Sequence, residues 1–190
     1  MFILKKKYFF IIESIKDIEL KNIKNFSKIS IIYRSFVLEN LDKIKKFRLE
    51  CKSRKIPFFV ANNVVLMKAV KADGLYVSAH NKKLNIINLK RQNFNIIGAA
   101  HNIKEINLKK LQGCSNIFLS CLFKTAYKNK KDFLGVIKFN LITKLIKTSL
   151  VPLGGITLKN LNKLKFTNCE AIGVNSLIKQ KPKKTLQYLR

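Results

Sequence analysis

Acidic side chains are scarce in this chain. Ten Asp and Glu stand against 39 Lys and Arg over 190 residues, for a formal net charge of +29. Of the ten, only Glu13 falls directly at the C-terminal end of an expected strand, with Glu39 a few residues beyond another. Magnesium usually takes one or two carboxylates plus substrate phosphates, and glycoside hydrolysis takes a carboxylate pair, so the residues support neither site. Arginine is rarer still, with Arg34, Arg48, Arg54, Arg91 and Arg190 only. A specific nucleic-acid interface gathers charge on one face and uses Arg for bidentate contacts. Here Lys is spread through every segment, which predicts non-specific attraction to polyanions and no specific nucleic-acid partner.

Other absences bound the architecture. No apolar run approaches the ~18 residues that span a bilayer, and Tyr8 to Ile12 behind Lys5-Lys6-Lys7 is too short for a signal-peptide core. A cytoplasmic protein without membrane contact is expected. The four cysteines (Cys51, Cys114, Cys121, Cys169) form no C-x-x-C pair and sit among apolar neighbours, so they read as buried small hydrophobes rather than as a metal or disulfide set. With seven Gly and three Pro, no linker stands out, and residues 1–190 read as one domain. The 47% apolar content is enough for a core.

What is present is an alternation. Short β-branched and aromatic runs at Tyr8–Ile12, Ile29–Tyr33, Pro57–Val60, Gly74–Val77, Asn95–Ala99, Asn116–Leu122, Leu150–Leu153 and Ala171–Val174 predict eight strands. Between them, Asn40–Lys55 puts Leu41, Ile44, Phe47 and Cys51 on one helical face; Ile103–Leu111 and Thr157–Leu164 show similar spacing, and Lys83–Gln92 is a shorter candidate. Strand and helix in repetition imply parallel pairing through right-handed crossovers. Eight such units predict an α/β fold, a single small (β/α)8 TIM barrel, with a doubly wound sheet of six or seven strands as the alternative.

In such a barrel the chemistry sits in the loops after the strands, with phosphate commonly held after strands seven and eight. Strand seven runs into Gly154-Gly155-Ile156-Thr157, and strand eight into Gly173-Val174-Asn175-Ser176. Glycines admit an anion close to the backbone, and amides at a helix start point towards it; a tight turn and a Ser176 helix cap are the plainer reading. At the other strand ends stand Arg34, whose fork can grip phosphate, Asn62 and Asn63, Ser78 and His80, His101, and Thr125 to Lys128. His101 titrates near neutrality and could do acid–base work. Asp73 precedes its strand and reads as a turn residue at the barrel's stable end.

These segments resemble a known family. Pro57-Phe58-Phe59-Val60-Ala61-Asn62-Asn63-Val64 and Lys71-Ala72-Asp73-Gly74-Leu75-Tyr76-Val77 are similar to a stretch of the thiamine-phosphate synthases and their TenI-type relatives. The similarity continues through Ile97-Gly98-Ala99-Ala100-His101-Asn102, Leu122-Phe123-Lys124-Thr125-Ala126-Tyr127-Lys128, Leu153-Gly154-Gly155-Ile156 and Gly173-Val174-Asn175-Ser176, covering about residues 29–178 in order. The resemblance implies a barrel enzyme of thiamine biosynthesis, a transferase joining an aminopyrimidine methyl pyrophosphate to a thiazole phosphate with release of pyrophosphate. It implies that Arg34 and Lys128 grip pyrophosphate and that Thr125, Gly155 and Ser176 lie at the thiazole-phosphate site, with Tyr127, Gly154, Asn175 and Asn62 as further substrate-binding residues. Two alternatives follow from it: a TenI-like thiazole phosphate tautomerase using His101, and a non-catalytic barrel that binds a phosphorylated ligand.

The chain also departs from the family pattern. The residues flanking the family's Arg are replaced by Ile32 and Phe36, and Ala100 stands near a Ser position. The two magnesium-binding Asp of the family align with Asn62 and Asn81. Magnesium is the cofactor that the resemblance implies, yet no metal ligands are expected here.

Overall fold

The computed structural model describes residues 6–23, 26–37, 39–125 and 132–175. Eight parallel strands form it: β1 (Lys7–Ile12), β2 (Ile29–Tyr33), β3 (Phe58–Ala61), β4 (Gly74–Val77), β5 (Asn95–Ala100), β6 (Asn116–Ser120), β7 (Ser149–Leu153) and β8 (Ala171–Val174). They are hydrogen-bonded in the order β7-β6-β5-β4-β3-β2-β1-β8, and β7 and β8 come into contact to complete the ring. This is the (β/α)8 barrel that the alternation predicts; a doubly wound sheet would reverse its strand order midway.

The strand sequences explain the closure. In β1, Tyr8, Phe10 and Ile12 face the outer layer of helices while Phe9 and Ile11 point inward, and all five are buried. The inward set of Phe9, Ile11, Ile32, Phe59, Tyr76, Ile97, Phe118 and Val151 fills the barrel. Phe118 meets Phe9 edge-on at 5.0 Å between ring centroids and Tyr76 at 5.6 Å. Strands buried on both faces read as continuous apolar runs rather than alternating ones, which is why they are visible in the sequence.

The helices are α1 (Leu41–Ser53), α2 (Val64–Ala69), α3 (Asn88–Arg91), α4 (Ile103–Leu111) and α5 (Gly135–Leu145). Asn40 caps α1 by accepting from the amides of Asp42 and Lys43, and its buried face carries Ile44, Phe47 and Cys51 as expected, with Leu41 left exposed. Asn63 and Asn102 cap α2 and α4. The helix expected at Thr157–Leu164 is instead a 3-10 turn over Leu161–Phe166. Its apolar contacts, Leu158, Leu161 and Leu164, recur every three residues, the period of a 3-10 helix. The Lys83–Gln92 candidate likewise divides into a 3-10 turn, Leu84–Ile87, and the four residues of α3. Among the described residues between β1 and β2, the helical segments are 3-10 turns. Cys51 and Cys114 are buried, but Cys121 and Cys169 are partly exposed, which corrects the expectation for those two.

The end of the barrel opposite the loops is locked by charge. Arg48, on α1 and nearly buried, donates from Nη2 to Asp73 Oδ1 at 2.7 Å and from Nε to the Lys71 carbonyl at 3.0 Å; Asp73 Oδ2 accepts the Phe58 amide at 2.7 Å. Asp73 therefore ties α1 to the starts of β3 and β4, more than the turn role expected of it. Replacing Arg48 with Met should cost roughly 2–3 kcal/mol, because it strands a carboxylate and a carbonyl. Urea denaturation of Arg48→Met against the parent checks this, and Arg48→Lys, which lacks the fork, should recover only part of the loss.

Candidate active site

The polar groups gather at the other end, where the strands finish. The Arg34 amide donates to the Ile12 carbonyl at 2.8 Å, extending the β1–β2 ladder by one residue and aiming the side chain over the mouth. Its guanidinium lies 3.6 Å from Glu13 and 5.7 Å from the Phe36 ring centroid. Below it, burial pushes the Tyr76 hydroxyl up to about 12, with the Arg34 charge pulling the other way. Arg34 thus stands where the barrel interior meets solvent.

The loops beside Arg34 are held by Glu39. Its carboxylate accepts from Ser14 Oγ at 2.6 Å, Tyr33 Oη at 2.6 Å and the Ile15 amide at 3.3 Å. Asp17 accepts the amides of Glu13 and Ser14, folding the turn that carries Glu13. Sequence reasoning assigned Glu39 no role; Glu six residues after an aromatic strand end carries no motif, and its partners lie 6 to 25 positions away.

Asn62 follows β3 in a left-handed conformation (φ 55°), which Asn tolerates better than most residues. Its Oδ1 accepts the Ser78 amide at 3.0 Å and Asn81 Nδ2 at 3.4 Å, while Asn81 Oδ1 accepts the Lys83 amide at 3.1 Å. The structure therefore joins the two positions at which the resemblance implies metal-binding Asp. They do not fit magnesium. Both side chains are neutral carboxamides whose oxygens are already engaged by backbone N–H groups, and among the described residues no cluster of three His, Cys, Asp or Glu could hold a metal.

After β5, His101 donates its amide to Glu105 Oε2 at 2.7 Å, and its Nδ1 lies 3.1 Å from the same oxygen. Glu105 also belongs to the cap of α4, its amide donating to Asn102 Oδ1. With Nδ1 facing a carboxylate, Nε2 remains the nitrogen for a ligand. His101 lines a cavity of about 410 Å³ with His80, Ser120, Cys121 and Asp132, the two imidazoles 6.1 Å apart between centroids. Of these, Ser120, Cys121 and Asp132 were not expected at a site.

Gly154 and Gly155 adopt φ of 91° and 70°. A Cβ on Gly155 would lie 2.1 Å from the Phe123 carbonyl oxygen, so this glycine lets the loops after β6 and β7 touch. The Phe123 amide donates to the Gly154 carbonyl, and Asn160 Nδ2 to that of Gly155. The plainer reading, a tight turn, thus accounts for both glycines, with Asn160, overlooked in the sequence, as the clamp.

Among the described residues, the buried side-chain polar atoms without a hydrogen-bond partner are Arg34 Nε, Thr125 Oγ1 and Asn175 Oδ1. They follow β2, β6 and β8, at the loop end of the barrel, and all three residues were expected at the site. A buried polar group left unpaired costs about 1–3 kcal/mol, so three such atoms at one end of the barrel are a cost that calls for an explanation. Tyr127, Lys128 and Ser176 lie outside the described residues.

Comparisons with known proteins agree in direction. Residues 37–178 match the family model for thiamine monophosphate synthase. A thiamine-phosphate synthase from Helicobacter pylori is 31% identical over 155 residues, spanning 76% of this chain and 70% of that protein. One from Staphylococcus carnosus is 29% identical over 157 residues, 77% and 73% respectively. In one from Prochlorococcus marinus the match spans 66% of this chain and 36% of the relative. The solved thiamine phosphate pyrophosphorylase from Pyrococcus furiosus superposes with a TM-score of 0.77 over 99% of this chain and 95% of its own, at 19% identity.

Glu39 and Glu105 make the loops pH-sensitive. Burial raises each carboxyl, but hydrogen bonds from Ser14, Tyr33 and Ile15 to the first, and from His101 and Asn102 to the second, outweigh it, and both pKa values fall below the ordinary 4.5. The unfolded chain therefore takes up protons first as pH drops; the stabilisation is complete above the ordinary carboxyl range and is lost as pH falls through the depressed folded values. Tm measured as a function of pH should fall below about pH 5, and Glu39→Gln and Glu105→Gln should each lower Tm at neutral pH and flatten that acid limb.

Proposed function

The chain belongs to the thiamine monophosphate synthase family, and from that premise we propose that it joins an aminopyrimidine methyl diphosphate to a thiazole phosphate, releasing diphosphate. The observation that carries this reading is the set of unpartnered atoms on Arg34, Thr125 and Asn175, polar groups at the loop end of the barrel that a phosphorylated ligand would satisfy. The field of a chain with net charge +29 draws such anions in.

In the reaction a carbon–oxygen bond to the diphosphate breaks as the pyrimidine methylene bonds to the thiazole, so negative charge grows on the leaving group. Arg34 meets that charge with a planar fork. Its single ion-pair partner among the described residues, Glu13, is 3.6 Å away, a loose contact that an incoming diphosphate can outcompete. Thr125 and Asn175, after β6 and β8, take the thiazole phosphate together with Ser176, and Lys128 adds a second cation to the diphosphate. His101, oriented by Glu105, lines the cavity and contributes a polar ring nitrogen. The relatives above carry the synthase name, and neither the tautomerase nor the binding-only alternative is favoured over it.

Incubation with both precursors should yield thiamine phosphate and diphosphate in equal amounts. Arg34→Ala should lower kcat by about 10²–10³-fold, the usual loss for one preorganised donor at a developing charge, with a smaller effect on KM for the thiazole. Absence of turnover by the parent protein would refute the reading. A double substitution, Thr125→Val with Asn175→Leu, should raise KM for thiazole phosphate and, by removing two buried orphans, leave Tm equal to the parent's or higher.

A further inference from the structure

We propose that the mouth of this barrel takes diphosphate as an anion without a divalent ion, Asn62 and Asn81 forming a closed carboxamide pair where a metal would otherwise sit. The inference rests on the reading of the mouth as a diphosphate site and deepens it.

Three observations carry it. First, the pair is engaged and uncharged: Asn62 Oδ1 takes both the Ser78 amide and Asn81 Nδ2, and Asn81 Oδ1 takes the Lys83 amide, which leaves a cation one neutral lone pair and no carboxylate. Second, a cation already underlies the loop. Lys109, fully buried on α4, donates from Nζ to the Asn81 carbonyl at 2.8 Å and to Gln112 Oε1 at 2.9 Å. Gln112 Nε2 in turn donates to the carbonyls of Asn81 and Lys83 at 3.0 and 2.9 Å. Burial lowers the Lys109 pKa while the Glu105 carboxylate, one turn earlier on α4, helps to keep it charged, and an ammonium bound to the backbone of Asn81 disfavours a divalent ion there.

Third, the carboxylates near the mouth have other work. Glu39 holds Ser14 and Tyr33, Glu105 holds His101, and Glu13 faces Arg34. Asp132 lines the cavity with His80, His101 and Ser120 and is exposed, but no second carboxylate is among the described residues that line it. Magnesium demands near-octahedral oxygen coordination and gives up its water reluctantly, so a lone exposed carboxylate does not hold it. Positive charge at this end comes from the protein itself: Arg34 at the rim and Lys109 beneath the Asn81 loop.

The test uses inorganic pyrophosphate as the probe and thermal stability as the readout. With pyrophosphate and EDTA, Tm should rise in a concentration-dependent way, and adding magnesium should leave the apparent Kd unchanged within about twofold or weaken it, since magnesium sequesters the free anion. A rise that needs magnesium would overturn the inference while leaving the diphosphate site in place. No rise under either condition would overturn both. Mn2+ titrated onto the pyrophosphate-bound protein should give the same EPR spectrum as a protein-free mixture of Mn2+ and pyrophosphate at the same concentrations; an additional, protein-dependent bound-manganese signal would overturn the proposal. The Asn62→Asp, Asn81→Asp double variant should bind pyrophosphate at least about tenfold more weakly in EDTA and regain affinity with magnesium. If the double variant binds as tightly as the parent in EDTA, these positions do not face the anion and the inference fails.

Discussion

Burial of every strand on both faces is the constraint from which the rest of this molecule follows. Tyr8, Phe10 and Ile12 pack outward while Phe9 and Ile11 fill the barrel, and the polar strand residues stand mostly at strand ends, as Lys7, Asn95 and Ser149 do. Polar chemistry is thereby displaced to the two rims. One rim is used for cohesion, through Arg48, Asp73 and the Phe58 amide. The other collects Arg34, Asn62, His101, Thr125 and Asn175, each placed by the strand that ends just before it.

The shortage of acids shapes the second rim. In a chain with ten carboxylates, those near the mouth serve as hubs for several donors each: Glu39 for a hydroxyl, a phenol and an amide, Glu105 for an imidazole and a helix cap. Their pKa values are depressed because the donors outweigh the burial that would raise them. What remains at the mouth is the Arg34 guanidinium among amides and imidazoles. Such a surface suits a phosphorylated ligand better than a divalent metal, so one compositional bias underlies both the proposed substrate class and the proposed binding of diphosphate without a metal.

Legibility in the sequence followed the range of the interactions. Strands such as Ile29–Tyr33 and Ala171–Val174 were readable because continuous apolar runs in a parallel sheet are a local signal. Helix α1 was readable from the 3-4 spacing of Ile44, Phe47 and Cys51. Leu158, Leu161 and Leu164 misled, since a period of three was taken for a helical face when the chain winds more tightly there. Arg34, Thr125 and Asn175 were legible as strand-end residues. The partners that orient the site were not, because the contacts of Glu39, the Lys109–Gln112 support of Asn81 and the proximity of His80 to His101 join distant positions.

Sequence alone thus determined the eight strands and favoured a barrel over a doubly wound sheet, because burial and periodicity act between near neighbours and parallel crossovers have one preferred hand. It also determined that two carboxamides stand where a metal would need carboxylates. Only the tertiary structure decided that Asn62 and Asn81 bond to each other over a buried ammonium, that Gly155 serves a loop contact, and that three polar atoms at the rim are unpartnered. Those are statements about which groups meet across 19 to 32 positions of chain or fail to meet at all, and hydrogen-bond satisfaction is defined only once the chain has closed.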